Sequence, residues 1–319
     1  MNKFFIGIDL GGTRVKIGMV ANGAVIARSI VPAYSANGLA SYLPVLQQEI
    51  DSLIAAHAPA NAALHGIGLA FPGVVDTTRK QILQTNKKYD DATALDLNNW
   101  VQATWKVPFF MDNDARMATA GEWKYGAGKG YDDLVMMTMG TGIGTSAVIE
   151  GKLLRGKHFQ AGCLGGHVSI QYQGTRCICG NTGCVEVYGG SWNLPTLIKE
   201  HPLYAGSALY QAPLLDFRAV FDAAAAGDSL AVLIRKQCMD AWAAGIIHLI
   251  HAYDPELVLL GGGVLHSADV ILPYIRKQVQ QQAWCPWGII SIEPSELAED
   301  AAILGIVHCL EESYYLIGK

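Results

Sequence analysis

The stretch KFFIGIDLGGT, residues 3–13, begins with an apolar run and ends in two glycines and a threonine. Aromatic and β-branched residues dominate the run, which is typical of a buried strand over 3–11. Two more strand-like runs, VKIGMV (15–20) and AVIARSIV (24–31), follow it and are joined by Asn22 and Gly23, a pair typical of a tight hairpin. The sequence therefore predicts three consecutive strands at the start of the chain, not a strand followed by a helix.

A second glycine-rich turn, MGTGIGT (139–145), also lies between strand-like runs, within residues 133–149. It shares a Gly-Thr pair and a position between two strands with DLGGT (9–13). This weak internal repeat predicts two similar α/β domains facing each other across a cleft. The other predicted elements are strands over 65–73, 107–112 and 256–263, helices over 38–57, 114–126, 217–225, 229–253, 266–282 and 297–316, and loops over 74–100 and 156–192.

Composition narrows the classes of function. A chain of 319 residues with 51% apolar and 16% charged residues has enough material for two domains with ordered cores. The net charge of −5 and the lack of a basic patch argue against nucleic acid as a partner. No apolar run is long enough to span a membrane, and Asp9 and Arg14 interrupt the N-terminal run, so a signal peptide is not expected. Scattered cysteines in apolar contexts favour a cytoplasmic protein.

Three glycine-rich turns follow predicted strands, at DLGGT, at GTGIG (140–144) and at GGG (261–263). Glycine lets a backbone approach a ligand closely, and Asp9, at a strand end, offers a carboxylate that holds Mg²⁺ through water. Taken alone, each turn is better explained as an ordinary connection, and none contains the P-loop pattern with its lysine. Three such turns at strand ends in one chain nevertheless favour a phosphate-binding or nucleotide-binding protein.

Two polar motifs leave alternatives open. In DND (112–114), which lies between a strand and a helix, Asp112 or Asn113 caps the helix, or a carboxylate serves as a general base. CICGNTGC (177–184) places three cysteines in eight residues. An odd number in so short a stretch argues against a disulfide, which leaves a zinc site, the favoured interpretation, or a reactive thiol.

In their order along the chain, these motifs resemble the signature of the ROK family of sugar kinases. The matching stretches are DLGGT, FPGVVD (71–76), DNDA (112–115), MGTGIGTSAVIEGKLLRG (139–156), the segment from His167 to Glu186, and LLGGG (259–263). The resemblance covers almost the whole chain. It implies an α/β fold of two actin-like or ribonuclease H-like domains, with mixed sheets flanked by helices. The expected division is 1–115 plus about 300–319 for the smaller domain and 116–299 for the larger domain, which carries the zinc-binding loop.

The resemblance also implies roles for individual residues. Asp114 matches the general base that takes a proton from the sugar hydroxyl, which is expected to be the 6-hydroxyl of a hexose. Sugar binding is expected at Gly73, Asn86, Asn113, His167 and Glu186. ATP and Mg²⁺ are expected at Asp9, Gly11, Gly12, Thr13, Gly140, Thr141, Gly142, Gly144, Gly261, Gly262 and Gly263. Members of the family are often homodimers, so a homodimer is expected here.

The resemblance further implies a structural zinc ion held by His167, Cys177, Cys179 and Cys184.

Two departures from the family pattern concern the sugar. Leu164 stands where the family has a sugar-binding glutamate, so the identity of the sugar is open. Lys87 and Lys88 stand where the family has apolar residues; a solvated loop is the favoured explanation, and a rim that selects a larger or anionic sugar is the alternative.

Two other classes of function compete with a kinase. The first is a sugar-sensing protein, because transcriptional repressors share this fold and zinc segment. Such repressors carry an N-terminal helix-turn-helix, whereas this sequence starts two residues before the first strand, and it retains Asp9 and Asp114. The second is a catalytically idle interaction subunit, which the complete phosphate motifs make the least favoured class.

Overall fold

The computed structural model describes residues 2–317, which form two compact units. The first unit contains the chain up to Gly130, the short segment Leu153–Ala161 and the C-terminal part from Glu296. The second contains Tyr131–Lys152 and Gly162–Ser295. Among the described helices, none combines the length and the apolar character that crossing a membrane requires.

The first unit is built on a five-stranded sheet. Its strands are β1 (Asn2–Leu10), β2 (Arg14–Ala21), β3 (Ala24–Pro32), β4 (Ala62–Phe71) and β7 (Phe109–Asn113), and a separate hairpin is formed by β5 (Val74–Asp76) and β6 (Gln81–Gln84). The helices are α1 (Leu43–His57), α2 (Leu97–Trp105), α3 (Asp114–Tyr125) and α9 (Ala301–Ile317). The sheet order is β3-β2-β1-β4-β7; β1 to β3 are antiparallel, and β4 and β7 run parallel to β1.

Close packing joins α3, α9 and this sheet. A Cβ atom on Gly121 of α3 would lie 2.0 Å from the carbonyl oxygen of Ala301, and one on Gly305 of α9 would lie 1.9 Å from that of Met117. Glycine at both positions therefore lets the two helix backbones approach each other. This contact places α3 in the first unit, whereas the expected division at residue 115 assigns it to the second.

The second unit repeats the same sheet order. Its strands are β8 (Leu134–Met139), β9 (Ile143–Ile149), β10 (Lys152–Leu153, at the boundary), β11 (Leu257–Gly261) and β12 (Ser291–Pro294). The helices are α4 (Val185–Gly189), α5 (Leu194–Lys199), α6 (Phe217–Ala225), α7 (Ser229–Tyr253) and α8 (Ala268–Gln282). The order is β10-β9-β8-β11-β12, with β8 and β9 antiparallel and β11 parallel to both β8 and β12. Two α/β units with mixed sheets confirm the predicted fold class.

The predicted loops are wrong in part. Residues 74–100 contain β5, β6 and the start of α2, and 156–192 contain α4. These elements are only three to nine residues long, so periodicity gives little signal for them. A capping signal does mark α2, because the side chain of Asp96 accepts a hydrogen bond from the Asn99 backbone N–H. The strand β12 was also missed.

Candidate active site

Asn113 and Asp114 lie where β7 ends and α3 begins. The side-chain oxygen of Asn113 accepts a hydrogen bond from the backbone N–H of Arg116 at 3.0 Å, so Asn113 is the N-cap of α3. Its amide nitrogen donates to the carbonyl of Gly73 and to Asp114 Oδ1, both at 3.0 Å. Asn113 therefore joins the helix start, the Gly73 turn and the Asp114 carboxylate.

Asp112 serves a different purpose from Asp114. Its carboxylate is fully buried and forms ion pairs with Arg116 and, at 2.8 Å, with Arg155. Arg116 is equally buried and donates to the carbonyl groups of Leu154, Phe159 and Ala161. This network secures the segment Leu153–Ala161 to the end of β7, so the first carboxylate of DND is structural and the middle residue is the cap.

The Asp114 carboxylate is left without an ion-pair partner among the described residues. Its Oδ1 accepts hydrogen bonds from the Ala115 N–H at 2.8 Å and from Asn113. The pKa of Asp114 is raised to about 6, chiefly because burial disfavours the charged form; Lys88 opposes the rise, and nearby Asp9 adds to it. A carboxyl group with a pKa near 6 is largely ionised at neutral pH, yet basic enough to accept a proton.

Asp9 stands near the end of β1, just before the first glycine-rich turn. Its carboxylate lies 3.3 Å from Lys16 Nζ, and burial raises its pKa although Lys16 opposes the shift. A Cβ atom on Gly11 would lie 2.4 Å from the carbonyl oxygen of Arg14, so the turn requires glycine there. Thr13 is exposed. The turn thus leaves an open polar edge beside a carboxylate.

The loop after β6 contacts this turn. Tyr89 is fully buried, and its hydroxyl donates to the carbonyl of Gly11 at 3.1 Å. Lys88 lies against Gly12, whereas Asn86 and Lys87 are exposed. The structure therefore brings Asp9, Gly11, Gly12, Asn113 and Asp114 into one neighbourhood of the first unit. Asn86 lies in the adjoining loop, with its side chain in solvent.

Gly73 occupies a crowded turn between β4 and β5. A Cβ atom there would lie 2.0 Å from the carbonyl oxygen of Gln84, a backbone atom of the paired strand β6. The carbonyl of Gly73 accepts the hydrogen bond from Asn113 already described. Glycine at this position brings the hairpin β5–β6 against the start of α3.

In the second unit, the predicted turn Gly140–Gly144 joins β8 to β9. The backbone N–H of Gly140 donates to the Gly142 carbonyl at 3.0 Å, and Ile143 donates to Glu186 Oε2 at 2.9 Å. A Cβ atom on Gly142 would lie 2.5 Å from the same carboxylate oxygen. The buried Glu186 therefore fixes this turn, and the structure places it against the turn backbone.

Gly261, Gly262 and Gly263 follow β11 with different surroundings. Gly262 has φ +99°, and a Cβ atom there would lie 2.1 Å from the carbonyl oxygen of Met139 at the end of β8. Around Gly263, apart from its chain neighbours, no atom of the described residues lies within 4 Å of an added Cβ. Gly262 is thus needed for backbone packing beside the Gly140–Gly144 turn, and Gly263 leaves space at the start of the following helical turn.

His167, Cys177, Cys179 and Cys184 form one cluster. Their potential ligand atoms all lie within 4.8 Å of one another. Cys177 Sγ is 3.8 Å from His167 Nδ1, and the sulfurs of Cys179 and Cys184 are also 3.8 Å apart. Tetrahedral zinc with Zn–S bonds of about 2.3 Å requires sulfur atoms about 3.8 Å apart. The donor set and its spacing therefore fit zinc.

Close backbone contacts and hydrogen bonds to backbone carbonyls determine the conformation of the loop around the cluster. Gly183 has φ +70°, and a Cβ atom there would lie 1.7 Å from the carbonyl oxygen of Gln171. Asn181 donates from its side chain to the carbonyl of His167 at 3.0 Å. Cys184 immediately precedes α4, which carries Glu186. The cluster is thus connected, through one short helix, to the Gly140–Gly144 turn.

Leu164, the position that departs from the family pattern, is 37% exposed and precedes the helical turn Gly165–His167. The following backbone packs on β9, because Gly165 N–H donates to Thr145 Oγ1 at 2.8 Å. An apolar side chain therefore stands three residues before His167, at the start of this helical turn.

The sequence prediction missed Tyr89, Arg116 and Arg155, whose contacts link distant parts of the chain.

The chain is similar to several known proteins. A family model described as "ROK family" matches residues 5–312. The chain is 30% identical to a glucokinase from Thermotoga maritima over 96% of the chain and 97% of that protein. It is 27% identical to a xylose repressor from Bacillus spizizenii, over 80% of the chain and 63% of that longer protein.

A solved structure extends the likeness to three dimensions. It is a ROK family glucokinase from Streptomyces griseus in complex with glucose and AMPPNP. The superposition gives a TM-score of 0.82 at 26% identity and covers 97% of this chain and 99% of the other.

Proposed function

The chain belongs to the ROK family, and from that membership we propose that it is an ATP-dependent sugar kinase. The proposed reaction transfers the γ-phosphoryl group of ATP to a hydroxyl, the 6-hydroxyl, of a hexose or hexose derivative. The oxygen of that hydroxyl forms the new bond to phosphorus, ADP leaves, and the hydroxyl proton passes to Asp114.

The observation that carries the proposal is the state of Asp114. Its Oδ1 accepts hydrogen bonds from both Asn113 and the Ala115 N–H, the carboxylate has no ion-pair partner among the described residues, and its pKa is raised to about 6. A merely structural aspartate at this place would resemble Asp112, which is neutralised by two arginines. Positioned proton transfer of this kind contributes about 10²- to 10⁴-fold to a rate.

The phosphates of ATP are assigned to the glycine-rich turns. In the first unit this turn is formed by Gly11, Gly12 and Thr13, and in the second it is Gly140–Gly144. The adenosine of ATP is assigned to a third turn, Gly261–Gly263. Asp9 is the proposed residue for Mg²⁺, which when bound would neutralise charge on the phosphate oxygens. The contribution of the protein is positioning, because little covalent chemistry is required of it.

We assign a structural zinc ion to His167, Cys177, Cys179 and Cys184. The distances between their ligand atoms, described above, support this assignment. Zinc would hold the segment that leads into α4, and through Glu186 the turn Gly140–Gly144. Asn113 and Glu186 are also proposed to bind the sugar. Because both already bond to the protein backbone, sugar contact at these residues would use their remaining acceptor capacity.

The sugar itself is a separate proposal. At position 164 a leucine offers no hydrogen bond to a hydroxyl, so the pocket should not select strongly for the sugar group that the family's glutamate binds. We therefore propose that the protein acts on a hexose or hexose derivative and is less selective at that edge of the sugar than kinases that have the glutamate. The homodimer and the cytoplasmic location expected from the sequence remain predictions.

A second candidate function is sugar sensing without catalysis, which the similarity to xylose repressors favours. Both functions predict sugar binding, but only a kinase requires the Asp114 carboxylate. The test measures ADP formation with ATP and Mg²⁺ across hexoses, hexosamines and disaccharides, with and without each sugar. Sugar-dependent ADP formation supports the kinase. Clear sugar binding without turnover on any sugar would instead support a sensor.

A further inference from the structure

Lys88 lies over the first glycine-rich turn instead of extending into solvent. A Cβ atom built on Gly12 would lie 3.0 Å from Lys88 Cε and 3.4 Å from its Nζ. The ammonium group is therefore close to the turn backbone. The neighbouring Lys87 is exposed, and it makes no hydrogen bond or ion pair with another described residue.

The loop holds Lys88 in this place from both sides. Tyr89, the next residue, is fully buried and bonds to the carbonyl of Gly11 through its hydroxyl and to that of Ser35 through its N–H at 2.8 Å. Ser35 in turn donates its hydroxyl to the carbonyl of Gly12 at 3.1 Å. The Lys88 N–H donates to the carbonyl of Thr85 at 3.0 Å.

Three residues of the loop that carries Lys88 have a left-handed backbone conformation. Asn86, Lys87 and Tyr89 all have positive φ, at 49°, 60° and 55°. Such conformations are unfavourable for residues other than glycine, most clearly for bulky ones, and persist where the surroundings enforce them. The strained loop and the buried Tyr89 together fix the point at which Lys88 leaves the backbone.

The charge of Lys88 is not neutralised by a close partner. Among the described residues it forms no ion pair within 4 Å: the nearby Asp9 is paired with Lys16, and Asp114 has no cationic partner at that distance. Its ammonium group is nevertheless near enough to Asp114 to oppose the rise of that pKa. Lys88 therefore places an available positive charge beside the Gly12 turn and in the neighbourhood of Asp114.

We propose that Lys88 is a further catalytic residue, whose ammonium group contacts the oxygens of the transferring phosphoryl group. The inference rests on the proposed kinase function. The phosphoryl group leaves ATP, whose phosphates are assigned to the Gly11–Gly12 turn, and reaches a hydroxyl at Asp114. The bond from phosphorus to the oxygen bridging to ADP breaks, and the bond to the hydroxyl oxygen forms. Lys88 keeps all its protons, since the hydroxyl proton passes to Asp114.

The physical reason is charge stabilisation. In phosphoryl transfer, negative charge is spread over the three oxygens of the moving group, and catalysis depends on cations positioned around them. An ammonium group supplies three donors and a full charge. Because the strained loop fixes Lys88 before the reaction, little reorganisation is needed when charge develops.

The test compares Lys88→Met with Lys87→Met on the sugar that gives the highest turnover. Methionine keeps the length and apolar stem of lysine and removes the charge. We expect Lys88→Met to lower kcat by about 100-fold and to leave the KM of the sugar within about threefold. Lys87→Met should stay within about twofold of wild type, and Lys88→Arg should recover part of the loss. Equal thermal midpoints of unfolding for the three variants would show that the fold is intact.

Three results would overturn the proposal. The first is a kcat for Lys88→Met within threefold of wild type. The second is a loss confined to the KM of the sugar, which would assign Lys88 to an anionic sugar group. The third is a full recovery of kcat above pH 8, which would mean that Lys88 acts only on the ionisation of Asp114, beside Asp9. Wild-type enzyme that is inactive on every sugar would contradict the kinase function itself, so the two failures are distinguishable.

Discussion

Asp112 and Asp114 lie two residues apart, yet their surroundings give them opposite properties. Asp112 is neutralised by Arg116 and Arg155 in the interior, whereas Asp114 is held by neutral donors at the start of α3. The proposed division of roles follows from these contacts: one carboxylate stabilises the fold, and the other is kept available for a proton.

The pKa of Asp114 sets the expected dependence of activity on pH. A general base must be ionised, and burial raises this pKa to about 6. We therefore expect kcat/KM to rise tenfold per pH unit below about 6 and to level off above about 7. Initial rates between pH 5 and pH 8 measure this profile. An acid limb centred near pH 4 would mean that the carboxylate is not desolvated.

Asp114→Asn should affect stability in a pH-dependent way. The folded pKa is raised above 3.8, so ionisation destabilises the wild-type fold progressively as the pH rises from about 4 through 6. Asparagine has no charge to desolvate. We expect the variant to be as stable as wild type at pH 4 and more stable by about 1–2 kcal/mol at pH 7.5, allowing for partial exposure.

Asp112→Asn is the matched control for that measurement. It removes the carboxylate that neutralises two arginines, one of them fully buried, so we expect a loss of about 3 kcal/mol in the free energy of unfolding. Urea denaturation at both pH values measures all three proteins. A large destabilisation by Asp114→Asn at pH 7.5 would show that the Asp114 carboxylate is structural.

At the scale of elements, the turn between β8 and β9 packs against the Glu186 carboxylate. Gly142→Ala would drive its new methyl group against Glu186 Oε2, whereas the methyl group of Gly140→Ala would have, beyond its chain neighbours, no atom of the described residues within 4 Å. We expect Gly142→Ala to reduce the free energy of unfolding by about 1–3 kcal/mol and Gly140→Ala by less than about 1 kcal/mol. Thermal unfolding of the two variants compares them, and equal effects would contradict the assigned contact.

The loop from His167 to Cys184 contains little regular structure, so its order should depend on metal. We expect one zinc ion per chain and a loss of more than about 2 kcal/mol of stability after its removal by a chelator. Cys184→Ser should abolish zinc binding, because Cys184 belongs to the cluster. Cys285→Ser, outside it, should retain the metal. Elemental analysis measures both, and a metal-free wild-type protein with unchanged stability would refute the site.

At the scale of the whole molecule, the repeat of glycine-rich turns between strands predicted two similar α/β domains, and the two five-stranded sheets share one pattern of strand order. Hairpins dominate the first three strands of each sheet, and the pair Asn22 and Gly23 marks one of them directly. Long helices such as α7 carry enough apolar residues for their presence to be recognised. Local sequence was therefore sufficient for two α/β domains, whereas the roles proposed for the site residues came from the resemblance to the ROK family.

Contacts between distant residues could not be predicted in this way. Lys88 was expected in a solvated loop, because two adjacent lysines normally face water. Its position over Gly12 depends on Tyr89, whose hydroxyl bonds to Gly11 across 78 residues of chain. β5 and β6 likewise depend on pairing with each other. Such elements are determined by tertiary structure, not by local pattern.

Transfer of a phosphoryl group to a sugar hydroxyl, with Asp114 as the base, is tested most directly by the product itself. A ³¹P–¹H correlation spectrum identifies the product formed from ATP, Mg²⁺ and the best sugar by wild-type protein and by Asp114→Asn. We expect a phosphate ester at the 6-position with wild type and, with the variant, at least about 100-fold less product. No sugar phosphate with wild type, or equal amounts with both proteins, would contradict it.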